Sequence, residues 1–516
     1  MPQRIALFWT TYSGFAPVRR VERELMLREK VGGTLVVGVY CDGALERCHG
    51  MKRRRRDYLE CITCQCHHQD SVAPLADRMI HLPGYLGRRT GAAPPASQQA
   101  LRSVRIGGSD IGAAVLSTIK TNHGDDDPPL EGLADEVAAQ LAAARHVHAR
   151  LAATLDEVRP DVVYMFNGRH FDSRPLLRLC QARGIDFKTY EMAVAPDCFA
   201  MAENATIHDN RATKARFADY LAQTLVASEH SSLRSQITAG QDIYGEGYRA
   251  RQEQARMPAG WSPDRRNVVI LHSSEDEHAD VDHAPRLWTG QHFLEYLQAL
   301  AASLEGEEHL RVYVRLHPRL ARYNARSVAT LLSFRHPLVE VLPPASPVDT
   351  FALACAADLC VCYGSTAGPE AVLLGARVVS VGDCAYAGSG MMPEARDIAS
   401  LVNYVRHPEQ VACRPDVASA YLQFLQSDGV QFRFAPIAEP SERSSSDPLR
   451  IEASRQAFLR YRVPYARLRL DYLLYRLVRG WLLARRAVTS IGLPTIPGRI
   501  PATRVLARPV ALPRKR

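Results

Sequence analysis

Two short stretches of the chain carry side chains suited to gripping an anion. The first is Arg315-Leu316-His317-Pro318, at the end of the apolar run Leu310–Leu316. An imidazole fixed by a following proline can donate to a phosphate, with Arg315 as its charge partner. The second is Gly364-Ser365-Thr366-Ala367-Gly368, between the apolar run Asp358–Tyr363 and a helical stretch that Gly375 ends. A small turn from strand to helix leaves backbone N–H groups facing the strand's end. The helix dipole adds partial positive charge there, and the two hydroxyls add donors. Taken singly, His317 also reads as a capping or core histidine, and the turn as an ordinary βα loop. Taken together they are expected to share one crevice, because neighbouring parallel strands end at one edge of a sheet.

A second set of residues suits proton transfer. Phe166-Asn167-Gly168-Arg169-His170 follows the run Asp161–Phe166, and Glu191 follows Asp186–Tyr190. A carboxylate at a cleft edge can take the proton of an attacking hydroxyl. Glu191 is the first candidate for such a base and His170 its rival; a strand-end surface carboxylate is the plainer reading of Glu191. Ser13 and Gly14, after the first apolar run, are expected to line the same cleft. Ser274-Glu275-Asp276-Glu277 and Asp125–Asp127 read as acidic loops in solvent. No Asp-x-Asp stretch reads as a metal site, so the chemistry is expected to be metal-independent.

These residues need a scaffold that brings strand ends together. Arg4–Trp9, a helix over 18–29 and Thr34–Tyr40 form a strand–helix–strand unit ended by glycines. A long Ala/Leu helix fills 130–157, and strands Asp161–Phe166 and Asp186–Tyr190 flank a helix at 173–183. A fresh alternation begins at strand Asn267–His272. It continues with a helix over Gln291–Leu304, strand Leu310–Leu316, a helix over 347–356 capped by Ser346, strand 358–363, a helix at 366–374 and strand 377–381. The alternation predicts an α/β chain with two Rossmann-like domains facing a cleft. Residues 1–240 form the first, 241–266 a linker and 267–435 the second. Residues 436–516 form a linker and a basic tail.

The stretch Arg315-Leu316-His317-Pro318, Ser346-Pro347-Val348-Asp349, Tyr363 to Ala371, Gly375 and Val378-Val379 resembles bacterial capsule and surface-carbohydrate glycosyltransferases of the GT-B fold. It is similar as well to the His-Pro and Ser-Thr patterns of bacterial sialyl- and Kdo-transferases. The resemblance is specific over about residues 310–390 and general over the rest of both domains. It implies a nucleotide-sugar donor, with CMP or UDP as the nucleotide, held by the second domain. Arg315, His317, Pro318, Gly364, Ser365, Thr366 and Gly368 would meet its phosphate, and Glu370 its ribose. The first domain would take a glycan or lipid-linked glycan acceptor of capsule or lipopolysaccharide type. Asn167, Arg169, Ser13 and Gly14 would stand on that side, with Glu191 or His170 as base. A nucleotide-sugar epimerase or a polyol-phosphate transferase would reuse the same crevice. A degenerate adaptor would not need convergent phosphate donors.

The cysteines and the charge are unevenly spread. Cys41, Cys48, Cys61 and Cys64 lie in a Cys-rich insert over 41–70, with Cys66, His67 and His68 adjoining. This set suits a tetrahedral structural zinc; a loop of thiols is the alternative, and an iron–sulfur centre a poorer one. The resemblance implies an architectural insert rather than a catalytic metal. Arg53–Arg56 read as a solvated run, with a pyrophosphate-lipid acceptor as the alternative contact. Residues 451–516 hold fifteen Lys or Arg against two Asp or Glu, whereas the rest of the chain is slightly acidic. The net charge of +9 therefore belongs to the tail, and a nucleic-acid role for the whole chain does not follow. Within the tail, residues 466–488 place Leu470, Leu473, Leu474, Leu477 and Trp481 on one helical face. Such a helix suits an anionic membrane surface or packing on the protein's own body. Neither a signal peptide nor a membrane-spanning run is read, so a cytoplasmic protein is expected, peripheral at the inner face of the plasma membrane.

Overall fold

All eight apolar runs read as strands form strands, and their alternation explains why they are apolar throughout. In β1 (Ile5–Thr10), β2 (Leu35–Tyr40) and β4 (Val162–Phe166), the residues Leu7, Trp9, Val37, Val39, Val163 and Met165 join one buried cluster. Their neighbours Ala6, Phe8, Val36, Val162, Tyr164 and Phe166 join another on the opposite face. A sheet covered on both faces needs apolar side chains at every position. The second sheet repeats this. Val269, Leu271, Cys360 and Cys362 face one core, and Val268, Ile270, Leu359 and Val361 the other.

The computed structural model describes residues 3–41, 45, 48, 58–82, 93–195, 197–224, 231–239, 251–277, 279–282, 287, 292–323 and 325–435. Arg53–Arg56, the side chain of Cys61 and all of 436–516, with its basic helix, lie outside the described residues. The described residues fall within one unit, Met1–Ser454. Among them no helix is long and apolar enough to cross a membrane.

The first sheet adds β3 (Arg78–His81), β5 (Asp186–Met192), β6 (Cys198–Glu203) and β13 (Val430–Gln431), in the order β13-β6-β5-β4-β1-β2-β3. The second comprises β7 (Arg266–Leu271), β8 (Leu310–Arg315), β9 (Val339–Leu342), β10 (Leu359–Cys362), β11 (Val378–Val381) and β12 (Glu394–Ala395), in the order β12-β11-β10-β7-β8-β9. Within each sheet β1 to β5 and β7 to β12 pair parallel, while β6 pairs antiparallel with β5 on one side and β13 on the other. The winding reverses between β1 and β4 in the first sheet, and between β7 and β10 in the second. Ligands of open α/β sheets bind at such reversals, beyond the carboxyl ends of the strands.

Three local expectations are corrected. Asp349, not Ser346, caps the helix that follows: its carboxylate accepts from the N–H groups of Phe351 and Ala352, and the helix runs Thr350–Ala356. A carboxylate at a helix N-terminus outcompetes a hydroxyl three residues too early. The packing of one segment also differs. Phe217, Leu233 and Ile237 pack in the second sheet's core, although the sequence puts them before residue 240. Amphipathic spacing fixes that a helix packs, not which sheet it packs on. Thirdly, Glu191 is the penultimate residue of β5 rather than the residue after it, because β5 continues far enough to pair Glu191 with Ala200 of β6.

The chain then returns to where it began. The helix Pro415–Ser427 leads back to the first sheet, where β13 pairs with β6. The N–H groups of Arg433, Phe434 and Ala435 donate to the Glu24 carboxylate at 2.8, 2.7 and 2.8 Å, and Arg28 Nε reaches it at 2.7 Å. Arg20 lies over the Phe432 ring at 3.6 Å and donates to the Ala435 carbonyl. One side chain thus closes a loop of about four hundred residues, whose entropy cost grows only slowly with its length.

Burial acts to raise the Glu24 pKa, but the donors outweigh it and hold the carboxyl below its ordinary 4.5. A depressed carboxylate adds stability above the unfolded value and loses it as pH falls through the folded one. Glu24→Ala is therefore expected to cost about 1–3 kcal/mol, by leaving backbone donors without an acceptor. Urea denaturation at pH 7 and pH 3 checks this: the gap between variant and wild type narrows at the lower pH.

Candidate functional site

Glu191 lies where the first sheet meets the second half. The turn after β4 places Asn167 and Gly168 at φ +58° and +81°, and Asn167 N–H donates to the Tyr190 carbonyl at 3.0 Å. Asparagine and glycine are the residues that adopt this left-handed backbone with least strain. So held, Asn167 Nδ2 donates to Glu191 Oε2 at 2.5 Å and lies 3.1 Å from His208 Nε2. Burial lifts the Glu191 pKa to about 7, against the lowering pull of Asn167 and of the Arg169 guanidinium. Arg169 is itself buried and donates to the Glu277 carbonyl of the other half. A carboxyl poised near neutrality suits general-base work.

His170 and the first loop occupy different places. His170 is enclosed, with Nδ1 3.5 Å from Thr118 Oγ1, and its carbonyl accepts from Ser173 and Arg174. Ser13 is fully buried and its carbonyl holds Arg19, while Gly14 stays exposed with its N–H on Cys64 Sγ at 3.2 Å. The helix Tyr58–Ser71 therefore covers this loop, and His68 Nε2 meets Thr10 Oγ1 at 3.0 Å. Cys41 and Cys48 pack against the first sheet's core. Among the described residues no three His, Cys, Asp or Glu side chains gather as a metal would require.

On the second half, the residues read as phosphate-binding separate into two kinds. His317 is fixed by its own turn. Its Nδ1 accepts from Arg319 N–H at 3.2 Å, so a neutral ring carries its proton on Nε2. Burial, reinforced by His272, Arg319 and Arg315, presses its pKa down to about 3. Pro318 opens the short turn Pro318–Arg322 that fixes the imidazole. Gly364, at φ +60°, turns the chain out of β10, and the half-buried Thr366 begins the helix Ala367–Leu373 without spending its hydroxyl as a cap.

The others are engaged in building the loop. The Arg315 guanidinium holds the Pro343 carbonyl at 2.9 Å, the Ser346 carbonyl at 3.3 Å and Thr350 Oγ1 at 3.2 Å. It positions the segment before Asp349. Ser365 Oγ accepts from Ala367 N–H, and its carbonyl takes Gly368 N–H and the Tyr386 hydroxyl. A Cβ on Gly368 would stand 2.5 Å from Cys362 Sγ, so that glycine lets the helix lie close on β10. Glu370 is buried in the helix's first turn.

The two acidic loops read as solvated are instead the joint between the halves. Asp276 is 1% exposed and pairs with Arg319 Nη1 at 2.8 Å, and Ser274 Oγ binds both. Asp125 accepts from the N–H groups of Arg326 and Ser327 at 2.6 and 3.2 Å, and Asp126 meets His292 Nδ1 at 3.5 Å. Lys120 pairs with Asp280 at 3.1 Å. Glu275 is pushed well above the carboxylate range by burial and by the negative charge of Asp126. Charged loops usually stay in water; Asp125, Asp126 and Asp280 instead meet partners from the other half, while Asp276 is answered by Arg319 of its own half.

Sequence reading also missed His272. It follows β7 at the winding reversal, is 6% exposed, and leaves Nδ1 buried with no partner among the described residues. Burial holds its pKa at about 4. Its only sequence signal was a titratable side chain at the last position of the strand read over Asn267–His272. His272, His317 and Thr366 thus end three neighbouring strands at one crevice, facing the half that carries Glu191.

No family model matches the chain, and no curated protein matches it. Among solved structures, it is similar to the β-Kdo 2,4-transferase of KpsC from Thermosulfurimonas dismutans at 15% identity, over 51% of this chain and 79% of that one, with a TM-score of 0.33. A UDP-N-acetylglucosamine 2-epimerase from Methanocaldococcus jannaschii aligns at 10% identity over 82% and 99%, with a TM-score of 0.23. The glycosyltransferase SsfS6 from Streptomyces sp. SF2575 aligns at 13% over 82% and 95%, with a TM-score of 0.21. Likenesses at such TM-scores assign neither substrate nor reaction.

The close seat of Gly368 gives a direct test of its role. Gly368→Ala is expected to destabilise the chain by about 1–3 kcal/mol through overpacking. Cys362→Ala in the same chain should recover part of the loss in thermal denaturation. A purely ligand-facing glycine would show no such rescue.

Proposed function

We propose that this chain is a glycosyltransferase of GT-B type, moving a sugar from a nucleotide-sugar donor to a hydroxyl of a surface-glycan acceptor. The reading is supported by Glu191, raised to about 7 at the end of β5, together with His317, held neutral directly after β8. The first can accept a proton from an attacking hydroxyl. The second can donate Nε2–H to a departing phosphate. Thr366 and His272 stand at the ends of the adjoining strands.

The step follows from these roles. The acceptor oxygen forms its bond to the anomeric carbon while its proton passes to Glu191. The bond from that carbon to the phosphate oxygen breaks, and the electron pair leaves with the nucleotide. Donation from His317 stabilises that leaving oxygen, and a fixed donor is effective because it needs no reorganisation as charge develops. Arg169 and Asn167 keep enough positive character at Glu191 for it to ionise near neutrality, despite its burial.

A screen of CMP-, UDP-, GDP- and CDP-sugars by calorimetry identifies the donor. With that donor, His317→Ala is expected to weaken binding by about 1–3 kcal/mol. Glu191→Gln should leave binding intact and lower turnover about 10²–10⁴-fold. Wild-type turnover should rise with pH through about 7 as Glu191 ionises. Release of a changed nucleotide sugar without any acceptor would instead make the chain an epimerase, and unaltered binding by the His317 variant would remove the phosphate assignment.

A further inference from the structure

The proposed base is held by a side chain that a histidine in turn holds. An ionised carboxylate only accepts hydrogen bonds, so Asn167 must turn Nδ2 toward Glu191 Oε2, at 2.5 Å. The same Nδ2 lies 3.1 Å from His208 Nε2. That nitrogen must then be an acceptor, and the neutral ring carries its proton on Nδ1. Asn167 Oδ1 is buried and has no partner among the described residues. The amide therefore spends both hydrogens of Nδ2 and leaves its oxygen unused. Nothing on the oxygen side fixes this orientation; the two acceptors on the nitrogen side do.

We propose that His208 is a positioning residue: by accepting from Asn167 Nδ2 it keeps the amide donating to Glu191, so that Glu191 is held as a base rather than as an acid. With the amide turned over, Oδ1 would face Glu191, and a carboxylate cannot bond to a carbonyl oxygen. A protonated carboxyl can, because it has a hydrogen to donate. Amide orientation and Glu191 protonation are thus one equilibrium, and His208 biases it toward the ionised form. The backbone assists by fixing where the amide stands: Asn167 is locked in its left-handed turn and its N–H is tied to β5.

Other groups face Glu191 and set the background for this bias. Arg169 lies beside it and Glu277 approaches from the other half. Tyr12 and Tyr190 stand close enough for its charge to raise their own pKa values. None of these changes when His208 alone is replaced, so its contribution separates from theirs.

The proposal deepens the assignment of Glu191 as base, but it is tested without any sugar. Full-length protein with ¹³C-labelled glutamate carboxyls is titrated by NMR, and the Glu191 signal is identified as the one missing from Glu191→Gln. The wild-type midpoint is expected near 7. His208→Phe, which cannot accept, should raise it by about one pH unit, a tenfold change in proton affinity. His208→Gln, which offers a carbonyl acceptor, should keep it near the wild-type value. A midpoint unmoved in His208→Phe, or equally raised in both variants, overturns the proposal. Should His208→Phe fail to fold, a wild-type midpoint in His208→Asn, whose shorter amide cannot reach Asn167, overturns it in the same way. If the midpoints move as expected while Glu191→Gln keeps full turnover, the positioning stands and the catalytic assignment falls.

Discussion

A guanidinium buried between two sheets must be answered by carboxyl groups, and here they come from both. Arg169 leaves the first sheet and enters the joint, where Glu191 stands on its own side and Asp276 and Glu277 on the other. Arg319, carried by the second half, pairs with Asp276 and Glu277 of that same half and so holds them where Arg169 meets their charge. Removing one partner from such a set leaves an uncompensated charge in low dielectric, which costs several kcal/mol. The halves are therefore held in one facing arrangement, and the ends of β4, β5, β7, β8 and β10 converge because of it.

The same charges tune the chemistry. A carboxyl buried alone would stay protonated well above neutrality, and one beside a fully exposed arginine would ionise near its ordinary value. Glu191 lies between, since burial raises it and Arg169 with Asn167 lowers it. His317 is treated the other way. Burial and neighbouring cations keep its ring neutral, which preserves a donor hydrogen without a full charge. Burial and charge thus oppose each other at the proton acceptor and act together at the hydrogen-bond donor.

The parts of this arrangement that rest on period and spacing were legible in the sequence. The doubly covered strands announce themselves as continuous apolar runs, and His317 and Thr366 were legible as the polar residues that follow two of them. What was hidden depends on partners far away in the chain. Asp125, Asp126 and Asp276 look like solvated loops until Arg326, His292 and Arg319 are placed against them. Arg315 looks like a phosphate ligand until the carbonyls of Pro343 and Ser346 are placed on its guanidinium. The short strands β3, β9, β12 and β13 carry too few residues for their own pattern and owe their form to the strand beside them.

The return of β13 to the first sheet has a consequence during synthesis. A ribosome delivers β1 to β6 long before it delivers Val430, and in that interval the outer edge of β6 has no neighbour. An unpaired edge is a template for another strand, including one from a second nascent chain. The nascent first half also exposes the Glu24 carboxylate, which the later backbone amides are meant to cover. A carboxylate that is covered only by a run of backbone donors disfavours burial under a foreign strand that brings none.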